Sequence, residues 1–272
     1  MNREDVQLGD VQETLLIPLY GRARDAKARK PILGDATSVE LVAQIDYDFT
    51  KFTGPSLAGS VLRTAMFDAW VREFLDQHPA GTVIELGAGL NNRSSRLDNG
   101  TAHWFDLDLP DTMALRRKFF DDSERTTMIA GSVLDTDWFE QVAATGGPYF
   151  FVSEAVLLYL GEAEVRTVIE QIAAGFPGHR MSFDTGGRAM MNNQDRNAVF
   201  KALPARMTWI CDDPHDLEAW GLRLLDSRTF ATPQPGLADN WPWRYKYGMP
   251  IMARLVPPVI KSYKLNLFDL PG

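Results

Sequence analysis

The sequence predicts an α/β chain built on a doubly wound, mostly parallel sheet. Short apolar runs alternate with amphipathic stretches between Thr82 and Asp184. The first of these runs ends in a glycine-bearing turn, Thr82-Val-Ile-Glu-Leu-Gly-Ala-Gly-Leu-Asn-Asn-Arg93, and the second ends in a pair of acids, Asp106 and Asp108. Such alternation puts parallel strands between helices on both faces.

The elements follow in order. Residues 1–80 read as a helical cap, because Ser38–Ile45 and Pro55–Phe74 carry apolar side chains at helical spacing, and Pro55 suits a first turn. Predicted strands are Thr82–Leu86, Thr101–Phe105, Thr126–Ala130, Tyr149–Ser153 and Arg180–Phe183. Predicted helices between them are Asp111–Phe120, Asp137–Ala144 and Glu162–Gly175. Further on, Met190–Leu203 has a helical pattern, while Leu222–Phe230 and Val259–Phe268 read as a late strand pair closing the sheet antiparallel to the rest. Ala231–Met249, rich in Pro, Gly, Trp and Tyr, reads as a long ordered loop or flap. The expected division is a cap over 1–80 and a main domain over 81–272, with a lid inserted around 186–250.

Bulk properties narrow the function. A net charge of −8 disfavours nucleic acid and anionic membrane surfaces as partners. No apolar run is long enough to cross a bilayer, and the polar, acidic start lacks a signal-peptide pattern, so the expected location is cytoplasmic. The single cysteine, Cys211, rules out a disulfide framework or a multi-cysteine zinc site and reads as a small buried apolar residue.

The turn after the first strand carries the chemistry. Gly87 and Gly89 let the backbone turn tightly against a ligand. Asn91 stands at the next helix start, where its amide either caps backbone N–H groups or holds the ligand's polar end. Either Asp106 or Asp108 can accept both hydroxyls of a ribose. A dinucleotide fingerprint would carry a third glycine where this chain has Asn92, and Glu85 puts a negative charge near the position a pyrophosphate would take. Both features weaken a NAD reading and suit a nucleoside bearing a cationic amine.

Four ordered motifs then resemble one family: Glu85-Leu-Gly-Ala-Gly-Leu-Asn-Asn-Arg93, Trp104-Phe-Asp-Leu-Asp-Leu-Pro110, Ala130-Gly-Ser-Val-Leu-Asp135 and Phe151-Val-Ser-Glu-Ala-Val-Leu-Leu-Tyr-Leu160. Together they resemble the leucine carboxyl methyltransferase family, and more closely its bacterial polyketide O-methyltransferase branch. The likeness runs from Leu16-Ile-Pro-Leu-Tyr-Gly-Arg-Ala23 to Tyr263-Lys-Leu-Asn-Leu-Phe268. It implies a Rossmann-like, seven-stranded methyltransferase sheet with an antiparallel last strand, and S-adenosylmethionine as cofactor. Gly87 and Gly89 would line the methionine part, Asp108 would hold the ribose with Asp106 as its alternate, and Ser132 and Val133 would flank the adenine. Glu154 would face the methionine amine. Arg63, in Arg-Thr-Ala-Met-Phe-Asp68, would pair with the methionine carboxylate, assisted by Arg22. Asn92 stands where the family often carries a hydroxyl residue.

Methyl transfer from a sulfonium needs alignment and exclusion of water more than acid–base chemistry. A carboxylate acceptor is already ionised, whereas a phenol with pKa about 10 benefits from a base. His78, His103, His179 and His215 are scattered outside the motifs. Tyr159 is expected in the pocket without serving as an essential base. The lack of an evident base favours a methyl ester formed on a polyketide or other aromatic acid, with phenol O-methylation the nearest rival. A NAD-dependent oxidoreductase and a non-catalytic ligand-binding regulator are weaker readings. Met190, Met191, Trp209, Trp241, Trp243 and Tyr245 are candidates for an apolar acceptor roof, and Arg188 and Arg244 for pairing with an acceptor carboxylate.

Overall fold

The computed structural model describes residues 3–6 and 8–271. The N-terminal part holds α1 (Leu16–Ala26), α2 (Ala36–Gln44) and α3 (Ser56–Gln77), with β1 (Glu4–Asp5) and β2 (Ile45–Asp46) paired in parallel beside them. Asp35 caps α2 by accepting from the Ser38 N–H, and Pro55 stands immediately before α3. The main sheet follows: β3 (Thr82–Leu86), α4 (Arg93–Leu97), β4 (His103–Asp108), α5 (Pro110–Arg116), β5 (Thr126–Ala130), α6 (Phe139–Ala143), β6 (Tyr149–Ser153), α7 (Glu162–Gly175) and β7 (His179–Gly186). After these come α8 (Arg188–Met191), α9 (Ala198–Ala202), β8 (Arg223–Arg228), α10 (Trp243–Lys246), α11 (Gly248–Leu255), α12 (Pro257–Ile260) and β9 (Tyr263–Leu270).

The seven main strands lie in the order β5-β4-β3-β6-β7-β9-β8. Winding starts at β3, runs outward through β4 and β5, then returns to β6 on the other side, so the reversal falls between β3 and β6. The strands β3 to β7 pair in parallel. Only β9 is inverted: it pairs antiparallel with both β7 and β8, which leaves β8 parallel to the rest. The expected late pair therefore exists, but one strand of it, not both, runs against the sheet.

Alternate side chains of each central strand enter different cores. Val83, Trp104, Phe150 and Leu265 pack with Leu62, Met66, Trp70 and Phe74 of α3. Ile84, Phe105, Phe151 and Phe183 pack with Val165, Ile169 and Ile172 of α7. Because both faces are covered, these strands are largely apolar, with Glu85, Asp106 and Asp184 as buried acidic exceptions. A third cluster joins Leu16, Leu19, Leu41, Phe52 and Leu57 of the N-terminal part to Leu90 and Leu115.

Several boundaries differ from the expected ones. β4 continues through Asp106 and Asp108, because Glu85 and Leu86 still pair opposite Asp106 and Leu107, and Asp108 pairs opposite Ala130. The Met190–Leu203 pattern is not one helix: α8 and α9 are separated by Asn192, Asn193 and a short 3-10 turn at Gln194–Arg196. Ala231–Met249 is not mainly loop, since α10 and the start of α11 fall within it. The last strand begins at Tyr263, after Pro257 has opened α12. No helix among the described residues is long and apolar enough to cross a membrane.

Cys211 sits in the core beside β7, its N–H donating to the Gly186 carbonyl at 2.9 Å. Burial pushes its thiol up to about 12. We expect Cys211 to react with an aromatic disulfide reagent only as fast as the protein opens; rapid labelling of the folded chain would contradict this packing.

Candidate active site

The carboxyl ends of β3, β4, β5 and β6 face α1 and α3 across a cavity of about 660 Å³. This is the crevice that doubly wound sheets open where the winding reverses. The turn after β3 is held open by its fixed hydrogen bonds. Gly87 and Gly89 have φ of 75° and 51°, and a β-carbon at Gly87 would collide with the Val156 side chain. The N–H groups of Gly87 and Ala88 both donate to the Leu107 carbonyl, at 2.8 and 3.0 Å. Gly89 N–H donates to Asp108 Oδ2 at 2.7 Å, and Leu109 N–H donates to Asp108 Oδ1 at 2.7 Å.

Two buried guanidiniums grip the carbonyls of the same turn. Arg22 Nη2 donates to Leu90 O at 2.7 Å, while its Nε is committed to Asp35 at 3.0 Å. Arg116 Nη1 donates to Gly89 O at 3.0 Å and Asn91 O at 2.6 Å, and its Nη2 donates to Asp106 at 2.6 Å. Asp106 is thus taken up by Arg116 and does not line the cavity; Asp108 does. Of the two acids that sequence left open for a ribose, Asp108 alone has access. Its burial raises it above the usual carboxylate range, against the backbone N–H groups it accepts.

A second cluster gathers charges from α3, β3 and the turn after β6. Arg93, with its side chain 1% exposed, pairs with Asp68 of α3, Glu85 of β3 at 2.6 Å and Glu154 after β6 at 2.7 Å. Glu154 also accepts from Arg63 Nε at 2.8 Å and Thr64 Oγ1 at 2.7 Å. Burial alone would raise Glu154, but Arg63 and Arg93 hold it down to about 2. Asn91 donates to Glu85 at 3.0 Å and accepts from Arg96 at 3.1 Å, so it braces this cluster and does not cap a helix. Asn92 bridges Asp35 and Arg96 in the same way.

The structure brings Arg22, Arg63, Glu85, Gly87, Gly89, Asn91, Asp108, Ser132, Val133, Glu154 and Tyr159 to one cavity. Burial pushes the Tyr159 phenol up to about 12, so at neutral pH it holds its proton. The acceptor-roof expectation fares less well. Met190 lines the cavity, whereas Met191, Trp209 and Trp241 belong to cores and Trp243 is 76% exposed. Arg188 lies on the surface beside Asp212, and Arg244 stacks on Tyr245; neither lines the cavity, and no histidine does. Sequence reading assigned no role to Arg93, Asp68, Arg116, Phe230 or Tyr263. Asp68 was detectable in principle: it follows Met66 and Phe67 and precedes Trp70 and Val71 in a helix whose apolar residues leave a carboxylate needing a partner.

This sheet order and this crevice are Rossmann-like, and the chain's relatives identify it as an S-adenosylmethionine-dependent methyltransferase. The leucine carboxyl methyltransferase family model matches residues 18–173, and the chain belongs to that family. It is 32% identical over 249 residues to the tetracenomycin polyketide synthesis O-methyltransferase TcmP of Streptomyces glaucescens, covering 88% of this chain and 91% of that one. It is 28% identical over 268 residues to the S-adenosyl-L-methionine-dependent methyltransferase dpfgK of Gibberella zeae, covering 89% and 90%. In fold it is similar to a DUF574 family protein from Streptomyces avermitilis, with a TM-score of 0.59 at 11% identity, covering 93% of this chain and 97% of that one.

Two outcomes follow from the ion cluster. Arg93→Ala takes the shared cation from three carboxylates, leaving Asp68 to Arg96, Glu154 to Arg63 and Glu85 with Asn91 alone, and should lower unfolding stability by about 3–5 kcal/mol in a denaturant titration; a loss below about 1 kcal/mol would refute its central place. Glu154 lies at about 2 when folded, against a reference value of 4.5. Its folded pKa is the lower one, so its stabilisation is complete above 4.5 and fades as pH falls toward 2. The stability gap between wild type and Glu154→Gln should close across that window, and a gap independent of pH would remove the assignment.

Proposed function

We propose that this chain transfers the methyl group of S-adenosylmethionine to an oxygen of a small, largely apolar natural product of the polyketide or aromatic type. The observation that carries the reading is one cavity in which a glycine turn, a ribose-accessible acid and an acid–arginine pair converge. The cofactor supplies an activated methyl on a positively charged sulfur.

The residues present fit that group. The cradle at Gly87 excludes a side chain, leaving backbone and space beside Val156. Asp108 presents a carboxylate for two ribose hydroxyls while its backbone partners fix its direction. Ser132 and Val133, past the end of β5, flank the adenine side. Glu154 suits an ammonium and Arg63 a carboxylate; the 2.8 Å pair they form opens to share both charges with a zwitterion. Glu85 and Asn91 brace this end, and Arg22 holds the turn. On this reading residues 1–80 are a cap over the cofactor, and the segment around 186–250 is a lid that contributes Met190, Met207 and Phe230 to the acceptor side. Tyr159 is wall and hydrogen-bond donor.

A carboxylic acid acceptor was favoured by the absence of a visible base. Among the described residues, however, the cations lining the cavity are Arg22 and Arg63. Arg22 is bound to Asp35 and Leu90, and Arg63 is the partner proposed for the cofactor's own carboxylate. Beyond the cofactor's own sulfonium, no further lining cation among the described residues remains for an acceptor carboxylate, which supports a neutral hydroxyl instead.

Asp108→Ala should weaken S-adenosylmethionine binding by about tenfold to a hundredfold, as a buried hydroxyl pair loses its acceptor. Ligand-dependent thermal shifts compared with NAD, together with isotopic methyl transfer to a panel of aromatic acids and phenols, test the reading. Stabilisation by NAD alone would end it.

A further inference from the structure

Tyr263 opens β9 opposite Gly186, the last residue of β7, and its side chain lines the cavity. Its phenol donates to Asp184 Oδ2. Asp184, on β7, is fully buried and does not line the cavity, but two residues that do, Tyr263 and Ala155, donate to it. Its two oxygens also accept from the Ala155 N–H at 3.0 and 3.1 Å. Ala155 adopts φ of 57°, a conformation disfavoured for a residue with a β-carbon. Arg63 Nη1 lies 3.5 Å from the Tyr263 oxygen, and Arg63 Nε holds Glu154. Tyr263 therefore borders the end of the cavity that carries the acid–arginine pair, where a methionine and its reactive methyl would lie.

A purely architectural role explains the Ala155 contacts, since Asp184 pins the turn after β6. It does not explain why Oδ2 also accepts from the hydroxyl of a tyrosine that lines the cavity. A phenol oxygen that donates one hydrogen bond can still accept two. Arg63 Nη1 takes up one of those at 3.5 Å, which leaves one for a bound hydroxyl.

We propose that Tyr263 and Asp184 form a proton relay serving a neutral hydroxyl acceptor, phenolic or enolic, in place of the histidine the cavity lacks. This rests on the methyltransferase reading above and deepens it to a substrate class. The acceptor hydroxyl donates to Tyr263 Oη. As its oxygen forms a bond to the methyl carbon, the carbon–sulfur bond breaks and its electron pair stays on sulfur. The acceptor's proton passes to Tyr263 Oη, and the proton Tyr263 held passes to Asp184 Oδ2. Asp184 goes from carboxylate to carboxylic acid, and Tyr263 ends as it began. Burial raises the proton affinity of Asp184, which suits it to the receiving end. Arg63 steadies any negative charge on the tyrosine oxygen during transfer. The ionisable groups around the pair are Arg63 on α3, Glu154 after β6 and Tyr159 beyond it.

The test uses the full chain with S-adenosylmethionine and a series of hydroxyaromatics, from nitrophenols already ionised at the assay pH to unactivated alkylphenols, beside matched benzoic acids. Product S-adenosylhomocysteine is measured. Tyr263→Phe keeps the ring against Phe230, and Asp184→Asn keeps the shape of the carboxyl. Each should lower kcat for unactivated phenols by about a hundredfold or more, while ionised nitrophenols lose only a few-fold and S-adenosylmethionine affinity stays within about twofold. Equal losses across the phenol series, or a loss confined to cofactor binding, would overturn the relay. Turnover of the acids but of no hydroxyl compound would overturn it while leaving the methyltransferase reading intact. Failure of the wild type to bind S-adenosylmethionine would sink both. Tyr263→Phe alone decides the matter if Asp184→Asn does not fold.

Discussion

The buried guanidinium of Arg93 is the interaction on which the site depends. It draws together Asp68 from α3, Glu85 from β3 and Glu154 from beyond β6, three elements far apart along the chain. Three carboxylates this close would repel one another strongly in a dry interior. One cation between them, helped by Arg63 and Arg96, turns that repulsion into a fixed arrangement. The crevice keeps its shape for this reason, not because its walls are apolar. Helix α3 is bound to the sheet through the same charges, by way of Asp68.

A division of labour follows across the cavity. The turn after β3 is over-determined: Leu107 and Asp108 accept from its N–H groups, while Arg22 and Arg116 donate to its carbonyls. Such a turn presents one conformation, which suits a cofactor common to many methyltransferases. The opposite wall draws on the N-terminal segment and on residues such as Met190, Met207 and Phe230, from stretches of short helices and turns. Side chains there are held by packing more than by ion pairs. On the proposed reading, acceptor preference can change through this wall without disturbing the charges beneath it.

The sequence revealed what local pattern encodes. Strands β3, β5 and β6 and helix α7 follow from apolar runs and helical spacing alone, and the glycine turn follows from Gly87 and Gly89. The extension of β4 through Asp106 and Asp108 was hidden, because it depends on partners in β3 and β5. The partition of those two acids was hidden for a similar reason: Asp106 is distinguished from Asp108 only by Arg116, whose approach depends on how α5 packs. Arg93 ends the Glu85–Arg93 motif, yet its importance lies in contacts spanning from Asp68 to Glu154. Likewise Tyr263 and Asp184 meet only because β9 is inverted beside β7. Aromatic and methionine content suggested an acceptor roof, but composition does not tell a core tryptophan such as Trp209 from a cavity wall such as Phe230.

The inverted strand also dictates an order of assembly. β9 is threaded between β7 and β8, although both precede it in the chain. While the polypeptide is emerging from the ribosome, β7 has to wait with a bare edge until residues 263–270 are made. The early strands and the glycine turn can already have settled by then. A nascent chain can thus hold the turn around Gly87 well before Tyr263 is made, and on the proposed reading competence for turnover arrives as a late, separate event.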